Sequence, residues 1–97
     1  MVKHVILWTL KEECNTDEVK LGIKEGLEGL KGKIPGLIDI KVIINPLDTS
    51  NCDVCLDSSF DTVEALKGYA VHPEHVAVAD SKVRPNTATR TCMDYEV

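Results

Sequence analysis

Six side chains in this chain are of types that move protons or hold anions: His4, Tyr69, His72, His75, Arg90 and Asp94. Imidazole titrates near neutrality, and a carboxylate partner fixes which ring nitrogen carries the proton. A histidine–aspartate pair therefore makes a general base suited to pH 7. A tyrosine hydroxyl nearby can donate to an oxyanion developing on a carbonyl. Tyr69 and His75 stand on either side of Pro73, while His4 and Asp94 lie at opposite ends of the chain. The last two can meet only if the first and last strands are antiparallel neighbours. The same residues have a structural reading. His72-Pro73-Glu74-His75 can cap a helix with its imidazoles satisfied by backbone, Tyr69 can be a core ring, and Asp94 can be a solvated strand residue.

A second grouping, Cys52-Asp53-Val54-Cys55 with His72-Pro73-Glu74-His75, has the composition of a zinc site of two thiolates and two imidazoles. A regular strand points residues three apart to opposite faces, so Cys52 and Cys55 are not expected to grip one ion. No metal site and no cofactor are expected. Cys14 and Cys92 read as free thiols. No phosphate-cradling glycine loop, G-x-S-x-G elbow or H-E-x-x-H occurs.

These residues need elements to position them. Lys3 to Leu10 reads as a strand. Asn15 is a candidate helix cap, with Glu18 three residues on, and Val19, Ile23, Gly26, Leu27 and Leu30 keep a helical period. Gly26 or Gly29 would permit close approach of a neighbour. Gly32 and Ile34-Pro35-Gly36 end the helix. Ile38, Ile40, Val42 and Ile44 then form the apolar face of a second strand. Asn45 to Asn51 is a loop, and Cys52 to Phe60 a third strand. Asp61-Thr62-Val63-Glu64 opens a helix whose inner face is Val63, Leu66 and Tyr69. Pro73 starts a further segment, with Val76, Ala79 and Val83 on one side. Arg84-Pro85-Asn86 stops it, and Thr87 to Tyr95 is the last strand.

The order β-α-β-β-α-β gives an α+β class, a ferredoxin-like sandwich with helices on one face of a four-stranded antiparallel sheet. One domain over residues 1–97 is expected. On the first strand His4, Ile6, Trp8 and Leu10 share one face and Val5 and Leu7 the other. Ile43, Cys55, Met93 and Tyr95 extend that second apolar face, which a second copy of the chain would cover. A homodimer through the sheet face opposite the helices is therefore expected. On the helix side, Ile6, Trp8, Ile40, Leu56 and Arg90 are the candidate walls of a ligand pocket around His4, Tyr69, His75 and Asp94.

Composition bounds the function. Apolar residues make up 43% of the 97 and charged residues 28%, which are globular proportions. The formal charge of −5 and the scattered basic residues argue against nucleic acid as a partner. No apolar run is long enough to span a membrane. The opening Met1-Val2-Lys3-His4-Val5-Ile6-Leu7-Trp8 lacks the pattern of a secretory signal. Four cysteines without such a signal suit a reducing cytoplasm.

Several segments together resemble the stress-responsive α/β-barrel (Dabb) family. They are Val2-Lys3-His4-Val5, Lys33-Ile34-Pro35-Gly36, Phe60-Asp61, Tyr69-Ala70-Val71-His72-Pro73-Glu74-His75-Val76 and Asp94-Tyr95. The Tyr-x-x-His-Pro-x-His-Val segment is the most specific. The resemblance implies a dimer whose two sheets form a β-barrel. It also implies a pocket between helices and sheet, of the kind in which a plant cyclase of the family closes a polyketide by aldol condensation. By that likeness Tyr69 and His75 take the catalytic roles, with His4 and Asp94 in the pocket. Leu27 stands where that cyclase has a tyrosine, and Arg90 where it has an apolar residue, which shifts the expectation toward a smaller, acidic ligand. Two functions follow as expectations: acid–base catalysis on a carbonyl compound, or a non-catalytic, stress-associated structural dimer.

Overall fold

A computed structural model describes residues 1–97. Four strands, β1 (Val2–Leu10), β2 (Leu37–Ile43), β3 (Val54–Phe60) and β4 (Thr87–Glu96), form one sheet. Its order is β2-β3-β1-β4, and every pairing is antiparallel. Three helices, α1 (Asp17–Glu28), α2 (Val63–Val71) and α3 (Pro73–Val78), supply the second layer. This is the ferredoxin-like α+β architecture.

β1 is central because its alternation serves both layers. Val2, His4, Ile6, Trp8 and Leu10 are buried toward the helices, and Lys3, Val5, Leu7 and Thr9 point away. On β3, Val54, Leu56, Ser58 and Phe60 are buried on the same side. The Ser58 hydroxyl donates to the His4 carbonyl at 2.8 Å, so this buried polar group is satisfied and pins the strand beside the histidine. Ile23 and Leu27 of α1, with Leu30 just beyond it, complete the core.

Edge strand β2 is closed by α1. Lys24 Nζ donates to the Val42 carbonyl at 2.8 Å, and the Val42 N–H donates to Glu28 Oε2 at 2.9 Å. Two backbone groups that an edge would leave unpaired are thus used. Burial alone would raise the Glu28 carboxyl, but the Lys24 ammonium and the Val42 N–H hold it below its ordinary range.

Five local expectations are corrected. The cap of α1 is Thr16, whose hydroxyl accepts from the Val19 N–H; Asn15 instead donates to Asp53. The register of β2 on β3 shifts between Leu37 and Asp39, so Leu37 turns inward and Ile38 is exposed. β3 begins at Val54, not Cys52. Val63 is exposed at the start of α2. Ile40 packs in the core on β2 and does not line the cavity described below. Gly26 is the close approach on α1: a Cβ there would lie 2.9 Å from Val78 Cγ1 of α3.

Candidate functional site

The β1–β4 register sets the first half of the site. It places Val2 opposite Glu96, His4 opposite Asp94, Ile6 opposite Cys92 and Trp8 opposite Arg90. β4 is an edge strand, and nearly all of it is exposed, so its inner-face side chains stand beside an open groove. His4 is buried, and its Nδ1–H donates to Asp94 Oδ1 at 2.5 Å. An ionised carboxylate only accepts, so the bond requires the proton on Nδ1 and leaves Nε2 as the acceptor. The imidazole packs edge-on against Phe60 and Tyr69, at centroid distances of 6.3 and 6.0 Å. Cys92 Sγ lies 3.8 Å from His4 Nδ1 and 3.5 Å from Asp94 Oδ1. Burial pushes the Cys92 thiol up, Asp94 adds to the effect, and Arg90 opposes it.

The corner between α2 and α3 sets the second half. Thr62 caps α2 by accepting from the Ala65 N–H, and α2 carries Tyr69 into the core. At His72 the backbone turns extended, as a residue before proline prefers. The His72 ring then caps α3, its Nδ1 accepting from the Glu74 N–H at 3.1 Å; this histidine is structural. His75, one turn on, donates from Nδ1 to the Ala70 carbonyl at 3.3 Å, which leaves Nε2 as its basic nitrogen. Its ring lies on Tyr69 at a centroid distance of 4.1 Å. Burial holds His75 below its ordinary value, outweighing the bond to Ala70, and the Arg84 charge pushes the same way. Tyr69 is only 2% exposed, and its hydroxyl has no hydrogen-bond partner within the chain. Burial drives its ionisation well above the ordinary range, so the group acts only as a neutral donor.

Two spaces adjoin these groups. A partly open cavity of about 130 Å3 is walled by His4, Ile6, Trp8, Leu56, Tyr69, His75 and Arg90, together with Leu27, Ala70, Ala79, Val83, Arg84 and Thr87. An open groove of about 690 Å3 runs between α2 and β4, along His4, Lys67, Arg90, Cys92 and Asp94. His4, Ala70 and Arg90 border both. The catalytic candidates are therefore split: Tyr69 and His75 face the cavity, Asp94 faces the groove, and His4 faces both. Ala79, Val83, Arg84 and Thr87 were not singled out as pocket residues from the sequence. The helical period marks Ala79 and Val83 as inward, but not that a hollow lies behind them. Cys52, Cys55, His72 and His75 do not come together as a donor set; the trio that does is His4, Cys92 and Asp94.

A sandwich of this topology, with a polar-tipped hollow between sheet and helices, defines a class of small α+β proteins. The description "Stress responsive A/B Barrel Domain" (Dabb) matches residues 2–97, and the chain belongs to that family. A dimeric protein of unknown function and ferredoxin-like fold from Bacteroides fragilis is 34% identical, with a TM-score of 0.89 over 99% of this chain and 95% of that one. A Dabb family protein from Mesorhizobium loti is 20% identical, with a TM-score of 0.78 over 99% and 95%. The hydroxynitrile lyase of Passiflora edulis shares the fold at 14% identity, with a TM-score of 0.81 over 97% and 90%. No curated protein matches the chain.

Proposed function

We propose that this protein is a homodimer, paired through the sheet face opposite the helices, that binds a small carbonyl compound between sheet and helices and performs aldol- or cyclase-like acid–base chemistry on it. The observation that carries the reading is the Tyr69 hydroxyl, buried on the cavity wall with no partner in the chain. Such a group costs roughly 1–3 kcal/mol, which phenylalanine would avoid. A ligand carbonyl is the acceptor that would make the hydroxyl useful. Tyr69 would donate to the carbonyl oxygen. Nε2 of His75 would take a proton from the adjacent carbon, and the freed electron pair would form an enolate held by Tyr69. Asp94 would orient His4 as a second proton acceptor. Arg90, which borders both cavity and groove, would hold an anionic end of the ligand.

The dimeric Bacteroides relative supports the assembly, and four free thiols suit a reducing compartment such as the cytoplasm. The cavity volume supports the second reading, a non-catalytic structural dimer. About 130 Å3 is well below the roughly 300 Å3 at which drug-sized ligand sites begin. Only a very small ligand, or one that also occupies the groove, fits. Ligand-observed NMR with short 2-oxo acids and aldehydes separates the two. Acid–base chemistry requires binding that weakens in Tyr69→Phe and proton exchange at the ligand's α-carbon that is lost in His75→Ala. Binding by neither wild type nor variants supports the structural reading.

A further inference from the structure

His4, Cys92 and Asp94 bring an imidazole nitrogen, a thiol sulfur and a carboxylate oxygen to one point at the head of the groove. We propose that this trio is a binding site for a borderline divalent metal ion of the zinc or cobalt type, with its fourth position open to the groove.

The geometry is close to what such an ion demands. Tetrahedral zinc, with nitrogen and oxygen at about 2.0 Å and sulfur at about 2.3 Å, separates sulfur from either light ligand by about 3.5 Å. Here Sγ lies 3.8 Å from Nδ1 and 3.5 Å from Oδ1. Nδ1 and Oδ1 are 2.5 Å apart, within hydrogen-bonding distance. An ion between them would spread them to about 3.3 Å, a side-chain adjustment that the exposed Asp94 can make. The scaffold is rigid: His4 and Asp94 are directly paired across neighbouring strands, and Cys92 shares the inner face two residues away. The back of the imidazole is held by Phe60 and Tyr69. The mix of one nitrogen, one sulfur and one oxygen selects zinc-like ions over magnesium or calcium, which take oxygen alone. Cys92 and Asp94 both line the groove, so an ion has an entry path and a place for water or a ligand atom. The ion replaces the proton between His4 and Asp94, so the metal-bound state and the hydrogen-bonded pair exclude each other.

The site shares His4 and Asp94 with the proposed carbonyl chemistry, but its test is metal binding and not turnover. Cobalt(II) chloride titrated into metal-stripped protein is expected to give a thiolate-to-cobalt charge-transfer band and tetrahedral d–d bands, saturating at about one ion per chain. Cys92→Ala, a change at an exposed edge position, removes the charge-transfer band. Asp94→Asn weakens binding roughly tenfold or more. A Cys52→Ala, Cys55→Ala double variant keeps both. Absence of the charge-transfer band in the wild type, its survival in Cys92→Ala, its loss in the double variant, or unchanged affinity in Asp94→Asn each overturns the site. None of these readouts depends on turnover, so failure here leaves the carbonyl-ligand reading to its own test.

Discussion

Tyr69 carries a polar atom in a place where a phenyl ring would be more stable, and that conflict can be measured. Its hydroxyl is buried without a partner, so Tyr69→Phe is expected to leave the folding stability unchanged or raise it by about 1 kcal/mol, while ligand binding falls. Urea denaturation beside ligand titration checks both; a destabilised variant would mean that the hydroxyl is satisfied. His75 sets a pH dependence. Burial holds it below the ordinary value near 6.5, so on acidification the unfolded chain takes up a proton before the folded one. Its contribution to stability is complete above about pH 6.5 and declines as the pH falls below that. The stability difference between wild type and His75→Gln should therefore shrink or reverse on going from pH 7.5 to pH 5.5. Residue types and spacing made His4, Tyr69, His75 and Asp94 legible as candidates, because the helix break at Pro73 and the antiparallel first and last strands follow from pattern alone. Alternation along the last strand sets Cys92 and Asp94, two residues apart, on one face. It did not give the distance to His4, which depends on the β1–β4 register, so the metal-binding trio was hidden.

Elements of the right type arise in the expected order because each has its own period and cap; their ends obey neighbours. Asn15 and Thr16 are both good caps, and the choice falls to Thr16 because Asn15 reaches Asp53, which also accepts from the Leu10 N–H. Strict alternation put Ile38 inside, but the irregularity between Leu37 and Asp39 reverses the face for one step, and nothing in the apolar pattern signals it. Gly36 sits immediately before this irregularity. It has φ +80°, and a Cβ there would lie 2.4 Å from Ala65 Cβ and 2.7 Å from Asp61 Oδ1. The strand thus enters the sheet against the start of α2, through a position that only glycine fills. Gly36→Ala combines backbone strain with a clash against an element that carries Tyr69, and should cost roughly 2–4 kcal/mol. The urea midpoint should fall with an unchanged m value. A midpoint equal to the wild type would show that α2 can retreat freely, and then the cavity wall would be soft as well.

A whole sheet face lies on the side away from the helices, and its order across the strands is regular. Ile43, Cys55, Leu7 and Thr91 form one cross-strand row, and Lys41, Asp57, Val5 and Met93 the next. Leu7, Ile43, Met93 and Tyr95 are at least a third exposed, a clustered patch where a solvated sheet would carry polar residues. Within it Lys3 bonds to Asp57 at 2.6 Å and to Ser59 at 3.0 Å, so covering that pair would not strand a lone ion. Self-pairing across a twofold axis needs one patch that fits itself, and Leu7, on the central strand, lies where two such faces would meet. Leu7→Asp would then place two carboxylates in the middle of the joint without touching the core, which Ile6 and Trp8 fill from the other side of β1. Sedimentation velocity should show the wild type as a dimer and the variant as a folded monomer with unaltered far-UV circular dichroism. The wild type alone should melt at a temperature that rises with protein concentration. A variant that still sediments as a dimer would move the joint to another surface, and would leave the apolar rows of this face without an occupant.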